Sequence, residues 1–502
     1  MRVFEIGLIA ASTLWLLLLM KKKPKGVWFV SAAASMVALL LHGVFEGLRY
    51  QMMPAYILVM LLAVITIMKA ARGFKDPETP AWLKIPSFIL AFVFLGFSVF
   101  LATALPVFSL PTPTGEYAVG VHYLHLTDEA RLDPFLTGTT RQRELMVKIY
   151  YPAEDGRAKP YLRYFHNSPE MIRAFASFYN MPKFVFDHFR LVKTNSKESL
   201  PLSHRQDVYP VVLFSHGAGT SIEVQTSQSE DLASQGYIVV AIDHPYVSSA
   251  TEFPNRIVNH KEATTDFQTA EPAEIITQIM ADDMRFVMDT LVEMAQGERD
   301  SFFHSLNLDQ IGVIGHSVGG AAAYKLALSD PRIKAAVNLD GVVYQTPGTG
   351  FDTIPHFLML ASDGDHVQTI QNQKSLMPAF DELGDVDKSI MLSMYGSEAA
   401  YQEAYNKAQQ NVMGLIGVLR ASEGLYTITG SDHMKFTDIG LYLGNQPVRE
   451  LLRIRGQLKP ARCLEITQAL TTAFFDRHLQ GDASGMDALL DQYPELKQID
   501  LK

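Results

Sequence analysis

The sequence predicts an α/β fold, a mostly parallel sheet flanked by helices, preceded by about four transmembrane helices. Three observations carry this reading. The first hundred residues hold four long apolar runs. The remainder alternates short continuous apolar runs with helical patterns, which suits strands buried on both faces of a parallel sheet. One of these strands runs into Gly315-His316-Ser317-Val318-Gly319 and then into a helix of small residues.

The chain has 502 residues, more than one typical domain. The apolar runs are about Val3–Met20, Val27–Phe45, Met52–Met68 and Ile85–Leu105. Each approaches the ~20 residues that cross a bilayer as a helix, and the third is the shortest. The first is not a signal peptide, because its lysines follow the apolar run and no small-residue cleavage site ends it. The segments Lys21–Lys25 and Lys69–Lys84 carry four basic residues each, against Arg2 and Arg49 on the opposite side. Positive charge stays in the cytoplasm. The N-terminus and everything after Leu105 are therefore expected outside. His42 and Glu46 fall near the outer end of the second run. No pairing of charges within the apolar runs is evident, so nothing points to transport.

The proline-punctuated segment LPTPTG, Leu110–Gly115, reads as a linker. A membrane domain is expected over 1–108 and an α/β domain over 109–502. Residues 1–107 hold 10 basic and 4 acidic side chains, which leaves 33 basic and 49 acidic beyond them, a net −16. Such a domain repels phosphate backbones, which argues against nucleic acid as a partner. The single cysteine, Cys463, precludes an internal disulfide framework and a cysteine-based metal site.

The segments YAVGVHYLHL and ELMVKIYYPA read as an early antiparallel pair. The buried-strand candidates follow: Pro210–Gly217, Gly236–Asp243, Ile311–Ser317, Ile333–Asp340, His356–Asp363 and Leu425–His433. Alternation of this kind places ligands at the carboxyl ends of the strands. Two stretches, Pro169–Phe189 and the largely helical Gln368–Ser422, are either cap elements over a site or packing decoration.

Gly-x-Ser-x-Gly is weak alone. Here Ser317 follows the strand IGVI and precedes the helix GGAAAYKLAL, a strand–elbow–helix arrangement. A serine hydroxyl needs a base. His433, in TITGSDHMKFTD, follows a late strand and completes the order serine, acid, histidine. The acid has three candidates at strand ends: Asp340, Asp363 and Asp365. An oxyanion needs backbone N–H donors, and those of Val318 and of Ala218 in FSHGAG are placed for it.

With these residues in view, the chain from about Gly115 to Leu479 resembles the platelet-activating factor acetylhydrolase family, plasma or lipoprotein-associated type. The stretches that carry the resemblance are RELMVKIYYPA, YPVVLFSHGAG, DLASQGYIVVAIDHPY, GHSVGGAAA, VNLDG, GSDHMKFTD and ALTTAFFDRHLQG. It implies an α/β-hydrolase fold and a calcium-independent serine esterase. By motif it implies Ser317 as nucleophile, Asp340 as acid, His433 as base, and Ala218 with Val318 as oxyanion donors. Val318 stands where the animal enzymes carry an aromatic residue, so the acyl pocket is expected to differ. The expected protein is integral to the plasma membrane of a bacterium, with its catalytic domain outside the cytoplasm. Its expected partner is an acyl ester, lipid or short-chain, and no metal or organic cofactor is implied.

Overall fold

The computed structural model describes all residues except 21–24, 74–79, 157, 268–271, 298–301, 345–354 and 502. Lys21, Lys22, Lys23 and Lys75, which enter the orientation argument, lie outside the described residues. The chain divides into two compact units. One comprises Met1–Ser109, Arg163–Lys193 and Tyr442–Arg453; the other comprises Leu110–Leu162, Thr194–Leu441 and Ile454–Lys502.

The first unit contains the helices α1 (Val3–Leu19), α2 (Lys25–Leu41), α3 (Met53–Ala71) and α4 (Ala81–Ala104). Among the described residues, three helical stretches are long and apolar enough to cross a membrane: Gly26–Glu46, Tyr50–Ala71 and Trp82–Ala104. The expected fourth, α1, is apolar but has 17 residues. At 1.5 Å per residue that is roughly 26 Å, short of a ~30 Å hydrocarbon core. The third run, expected to be the shortest, instead spans 22 residues. Polar Gln51 and Lys69 end the apolar run without ending the helix.

A buried charge pair joins the first apolar run to the loop between the second and third. Arg49 Nε donates to Glu5 Oε1 at 2.7 Å, and both side chains are buried. Arg49 also donates to the Leu105 and Ala102 carbonyls at the end of α4. His42 lies 2.6 Å from the Tyr56 hydroxyl and 3.0 Å from Glu46 Oε2. Glu5 and Arg49 are 44 positions apart, so only the bundle brings them together. The Pro169–Phe189 stretch is built into the same unit. Gln51 Nε2 donates to the Val185 carbonyl and to His188 Nδ1, each at 3.1 Å. Phe189 and Tyr442 pack with ring centroids 4.5 Å apart.

Among the described residues, the second unit has twelve strands: β1 (Ala118–Leu132), β2 (Gln142–Ala153), β3 (Ser196–Glu198), β4 (Tyr209–Ser215), β5 (Ile238–Asp243), β6 (Ala250–Phe253), β7 (Arg256–Asn259), β8 (Leu306–His316), β9 (Ile333–Leu339), β10 (His356–Ser362), β11 (Gly424–Ile428) and β12 (Leu496–Ile499). Ten form one sheet in the order β12-β11-β10-β9-β8-β4-β5-β2-β1-β3, and β6 and β7 form a separate hairpin. The six strands from β11 to β5 in that order are parallel. β1 and β2 form the expected antiparallel pair, and β2 joins β5 antiparallel. Along β4, Val211 and Leu213 enter one buried apolar cluster while Val212 and Phe214 enter the other. A strand covered on both faces needs apolar residues at every position, which is why these strands read as continuous runs. From β4 the chain moves to β5 on one side and later to β8 on the other. That reversal opens a crevice at the carboxyl ends of β4 and β8.

Candidate active site

β8 ends at His316, and Ser317 opens the helix Val318–Ser329 with φ 55° and ψ −126°. A non-glycine residue in this sparsely populated region stores backbone strain, which persists only where the surroundings hold it. They do so tightly: a Cβ on Gly315 would overlap the Gly319 carbonyl, and one on Gly319 would overlap the carbonyls of Ser215 and His216. The Ser317 N–H donates to the Leu339 carbonyl at 2.9 Å, and the Ser317 carbonyl accepts from Ala321 N–H at 3.1 Å.

Asp340 follows β9 at φ 59°, its N–H bonded to the Leu360 carbonyl of β10 at 2.8 Å. Its buried carboxylate accepts three hydrogen bonds. His433 Nδ1 donates to Oδ2 at 2.7 Å; His366 Nδ1 and the Ser362 N–H donate to Oδ1, each at 2.7 Å. Burial alone would oppose its ionisation. The bonds from His366 and His433 outweigh burial, and the carboxyl is held well below the usual carboxylate range. Burial likewise pulls His433 down, but the Asp340 bond and charge dominate and raise its pKa above the ordinary histidine value. A carboxylate only accepts, so His433 carries a proton on Nδ1 and leaves Nε2 without one while the ring is neutral. The His433 carbonyl accepts from His316 Nε2 at 2.9 Å, which fixes the residue from its other side.

Of the three candidate carboxylates, Asp340 is the one bonded to His433. Asp363 Oδ2 accepts from the Gly430 N–H at 2.6 Å and braces the turn before His433. Asp365 opens the helix Asp365–Gln371. That helix carries His366, whose role sequence reasoning missed. The one signal was its position at a strand end, in ASDGDH.

Ala218, Ser317, Val318, Asp340, His366 and His433 line one cleft of about 390 Å³. A second, mainly apolar chamber of about 370 Å³ shares Ala273, Val342, Tyr344, His366 and Leu376 with it. Ile370, Met377, Tyr395, Val412 and Leu415 line its far wall, drawn largely from the helices Asp385–Tyr395 and Glu398–Arg420. The Gln368–Ser422 stretch thus forms a wall beside the cleft.

Behind the cleft, Ser215 Oγ lies 2.9 Å from His244 Nε2, and His244 Nδ1 lies 3.0 Å from Asp283 Oδ2. Arg143 donates to the same carboxylate oxygen at 2.8 Å. This serine–histidine–aspartate chain is fully buried and ties the ends of β4 and β5 to the helix Pro272–Gln296. Among the described residues, two groups have the ligand atoms to hold a metal: His356 with Glu423 and His478, and Glu5 with His42 and Glu46. Neither group lines the cleft.

The parallel sheet, the strained elbow and the strand-end cleft define an α/β-hydrolase. The structure is similar to that of a ferulic acid esterase from Streptomyces cinnamoneus, with a TM-score of 0.56 and 26% identity, over 79% of this chain and all of that one. Among curated relatives, platelet-activating factor acetylhydrolase of Cavia porcellus is 21% identical over 428 residues, 80% of this chain and 84% of its own. A probable 1-alkyl-2-acetylglycerophosphocholine esterase of Arthroderma benhamiae is 24% identical over 426 residues, 80% of this chain and 96% of its own. The family model for platelet-activating factor acetylhydrolase, isoform II, matches residues 103–288 and 273–495. The chain belongs to that family and is a carboxylic ester hydrolase.

Proposed function

We propose that this chain is a membrane-anchored serine esterase that cleaves short-chain or lipid acyl esters through an acyl-enzyme. The observation that carries the reading is the Asp340–His433 bond in the cleft that also holds Ser317. His433 Nε2 takes the Ser317 hydroxyl proton as Oγ attacks the ester carbonyl. The carbonyl oxygen becomes an oxyanion, held by the N–H groups of Ala218 and Val318. His433 then gives its proton to the departing alcohol. Water attacks the acyl-serine by the same steps in reverse order, and Asp340 stabilises the imidazolium each time. These steps use protein groups and water alone.

The membrane part of the reading rests on the three long apolar helices. With the basic loops inside, the esterase lies on the outer face of a bacterial plasma membrane, where tethering raises the local concentration of lipid esters. The apolar chamber beside the cleft suits an acyl chain longer than acetyl. The likeness to a ferulic acid esterase favours a second reading, hydrolysis or acyl transfer on non-lipid esters with an aromatic acyl group.

The test is fluorophosphonate labelling of membranes bearing the wild-type and Ser317→Ala proteins, followed by parallel assays on phospholipid acyl esters and on hydroxycinnamate esters. The reading expects labelling lost with Ser317 and turnover of the lipid esters. Labelling retained in Ser317→Ala refutes the nucleophile. Turnover of hydroxycinnamates alone favours the second reading.

A further inference from the structure

The loop after β4 reverses sharply through His216, Gly217, Ala218 and Gly219. Gly217 is packed against the nucleophile: a Cβ there would lie 3.0 Å from His316 Nδ1 and 3.2 Å from Ser317 Cβ. The peptide unit joining Gly217 to Ala218 therefore borders the reacting serine. A trans peptide is planar, with its C=O and N–H pointing in opposite directions. Whatever fixes the Gly217 carbonyl also aims the Ala218 N–H.

Three donors fix that carbonyl from behind. His216 Nδ1 lies 2.8 Å from it, Thr220 Oγ1 2.7 Å and the Thr220 N–H 3.2 Å. A carbonyl only accepts, so Nδ1 of His216 carries a proton. The ring's other nitrogen accepts from the His244 N–H at 3.0 Å, which sets the same tautomer. Asp243 Oδ1, 3.2 Å from that nitrogen, leaves the Nδ1 assignment unchanged. The loop beyond is tied down as well: Gly219 N–H donates to the Val247 carbonyl at 2.8 Å and Ser249 N–H to the Thr220 carbonyl at 2.7 Å. His216 and Thr220 are buried. They lie behind the peptide, outside the lining of the cleft.

We propose that His216 and Thr220 are positioning residues for the oxyanion site: together they clamp the Gly217 carbonyl so that the Ala218 N–H faces the oxygen that becomes charged in the transition state. Neither touches substrate. The clamp costs no reorganisation when charge develops, which is where fixed donors contribute most. The inference rests on the proposed Ser317 acyl-enzyme reading.

The test compares Thr220→Val, which keeps shape and removes the hydroxyl donor, with Thr220→Ser, which keeps it. His216→Leu and His216→Asn form a second such pair, Asn retaining a donor near the Nδ1 position. Each full-length variant is assayed in detergent for kcat and KM on a p-nitrophenyl ester. Each is also assayed for inhibition by a trifluoromethyl ketone, which forms an oxyanion on the serine. Thr220→Val and His216→Leu should each lower kcat about 10- to 100-fold, below the loss seen when an oxyanion donor is deleted outright. KM should stay within twofold, and the ketone should weaken by the same factor as kcat. Thr220→Ser and His216→Asn should recover most of both. If Thr220→Val keeps kcat and ketone affinity within twofold, or if Thr220→Ser loses as much as Thr220→Val, the clamp is refuted. Should His216→Leu fail to fold, the Thr220 pair decides. Ser317→Ala in the same assay separates the two claims: turnover there within about tenfold of wild type overturns the acyl-enzyme reading, whereas a Ser317→Ala reduced to residual turnover beside a normal Thr220→Val overturns the clamp alone.

Discussion

Asp340 and His433 are joined by a 2.7 Å hydrogen bond from Nδ1 to Oδ2, although 93 residues separate them. β9 delivers the carboxylate, and the turn after β11 delivers the imidazole. The bond sets the histidine tautomer and leaves Nε2 without a proton while the ring is neutral.

Asp340→Asn removes the charge and disturbs that tautomer. In our account kcat falls on the order of 10⁴-fold with little change in fold. Activity of the wild type requires neutral His433, so kcat/KM rises with pH through a pKa above the ordinary histidine value. In Asp340→Asn the residual activity should inflect at lower pH. Asp363→Asn and Asp365→Asn should each cost less than about tenfold, ~1.4 kcal/mol of barrier. Steady-state kinetics between pH 5 and pH 9 check all three. A mild Asp340→Asn beside a crippled Asp363→Asn would move the acid one strand later.

His366 shares the Asp340 carboxylate with His433. Its loss leaves the carboxylate with one imidazole donor and a single backbone N–H. Hydrogen bonds to charged groups contribute ~1.5–3 kcal/mol, so His366→Phe should lower kcat about 10- to 100-fold. Circular dichroism should show the fold retained. Activity within twofold of wild type at pH 8 would show that His433 and the Ser362 N–H hold Asp340 without His366.

Both of these histidines lie beyond what pattern alone could join. The parallel strands were legible because burial on both faces leaves continuous apolar runs. Ser317 was legible because an elbow needs glycines at fixed offsets. Pattern alone left the acid open, because Asp340, Asp363 and Asp365 all follow strands; the resemblance carried by VNLDG pointed to Asp340, the carboxylate that bonds His433. His366 was invisible for a similar reason: its partner lies 26 positions away. The Glu5–Arg49 pair was missed because linear spacing says nothing about which helix ends meet. The Pro169–Phe189 stretch has a strong aromatic signal, but aromatic content alone does not say which unit it packs in.

His244 and His316 are buried and neutral, and burial pulls them down to about 4 and about 3. In the unfolded chain each takes a proton near pH 6.5. Below that pH the unfolded state binds more protons, so stability falls as pH drops from about 6.5 towards the folded values, by about 1.4 kcal/mol per pH unit per group. His433 works in the opposite sense. Its raised pKa contributes stability that is present below pH ~6.5 and lost as pH rises through the folded value. His188, pulled down by burial to about 3, and His260 and His478, also lowered by burial, act in the same sense as His244 and His316, so the melting temperature in detergent should be lower at pH 5 than at pH 7.5. His244→Gln should flatten that difference, whereas an unchanged slope in this variant would contradict the assignment.

The chamber walled by Met377, Tyr395, Val412 and Leu415 predicts a chain-length profile. Each buried methylene contributes up to ~0.8 kcal/mol. On p-nitrophenyl esters, kcat/KM should therefore climb roughly three- to fourfold per carbon beyond acetate until the chamber is full. Ala408 lies on its wall. Ala408→Phe should abolish the gain for octanoate while leaving acetate within twofold. A flat profile in the wild type would mean that the chamber takes no part in acyl binding.

The central claim is a covalent ester on Ser317, and intact-protein mass spectrometry after rapid acid quench tests it most directly. Mixing the purified full-length protein with excess p-nitrophenyl butyrate for milliseconds should give one butyryl adduct per chain, on the peptide that contains Ser317. The adduct should decay at the steady-state rate and be absent from Ser317→Ala. Full turnover with no adduct at any quench time, or an adduct on another residue that persists in Ser317→Ala, would contradict the account.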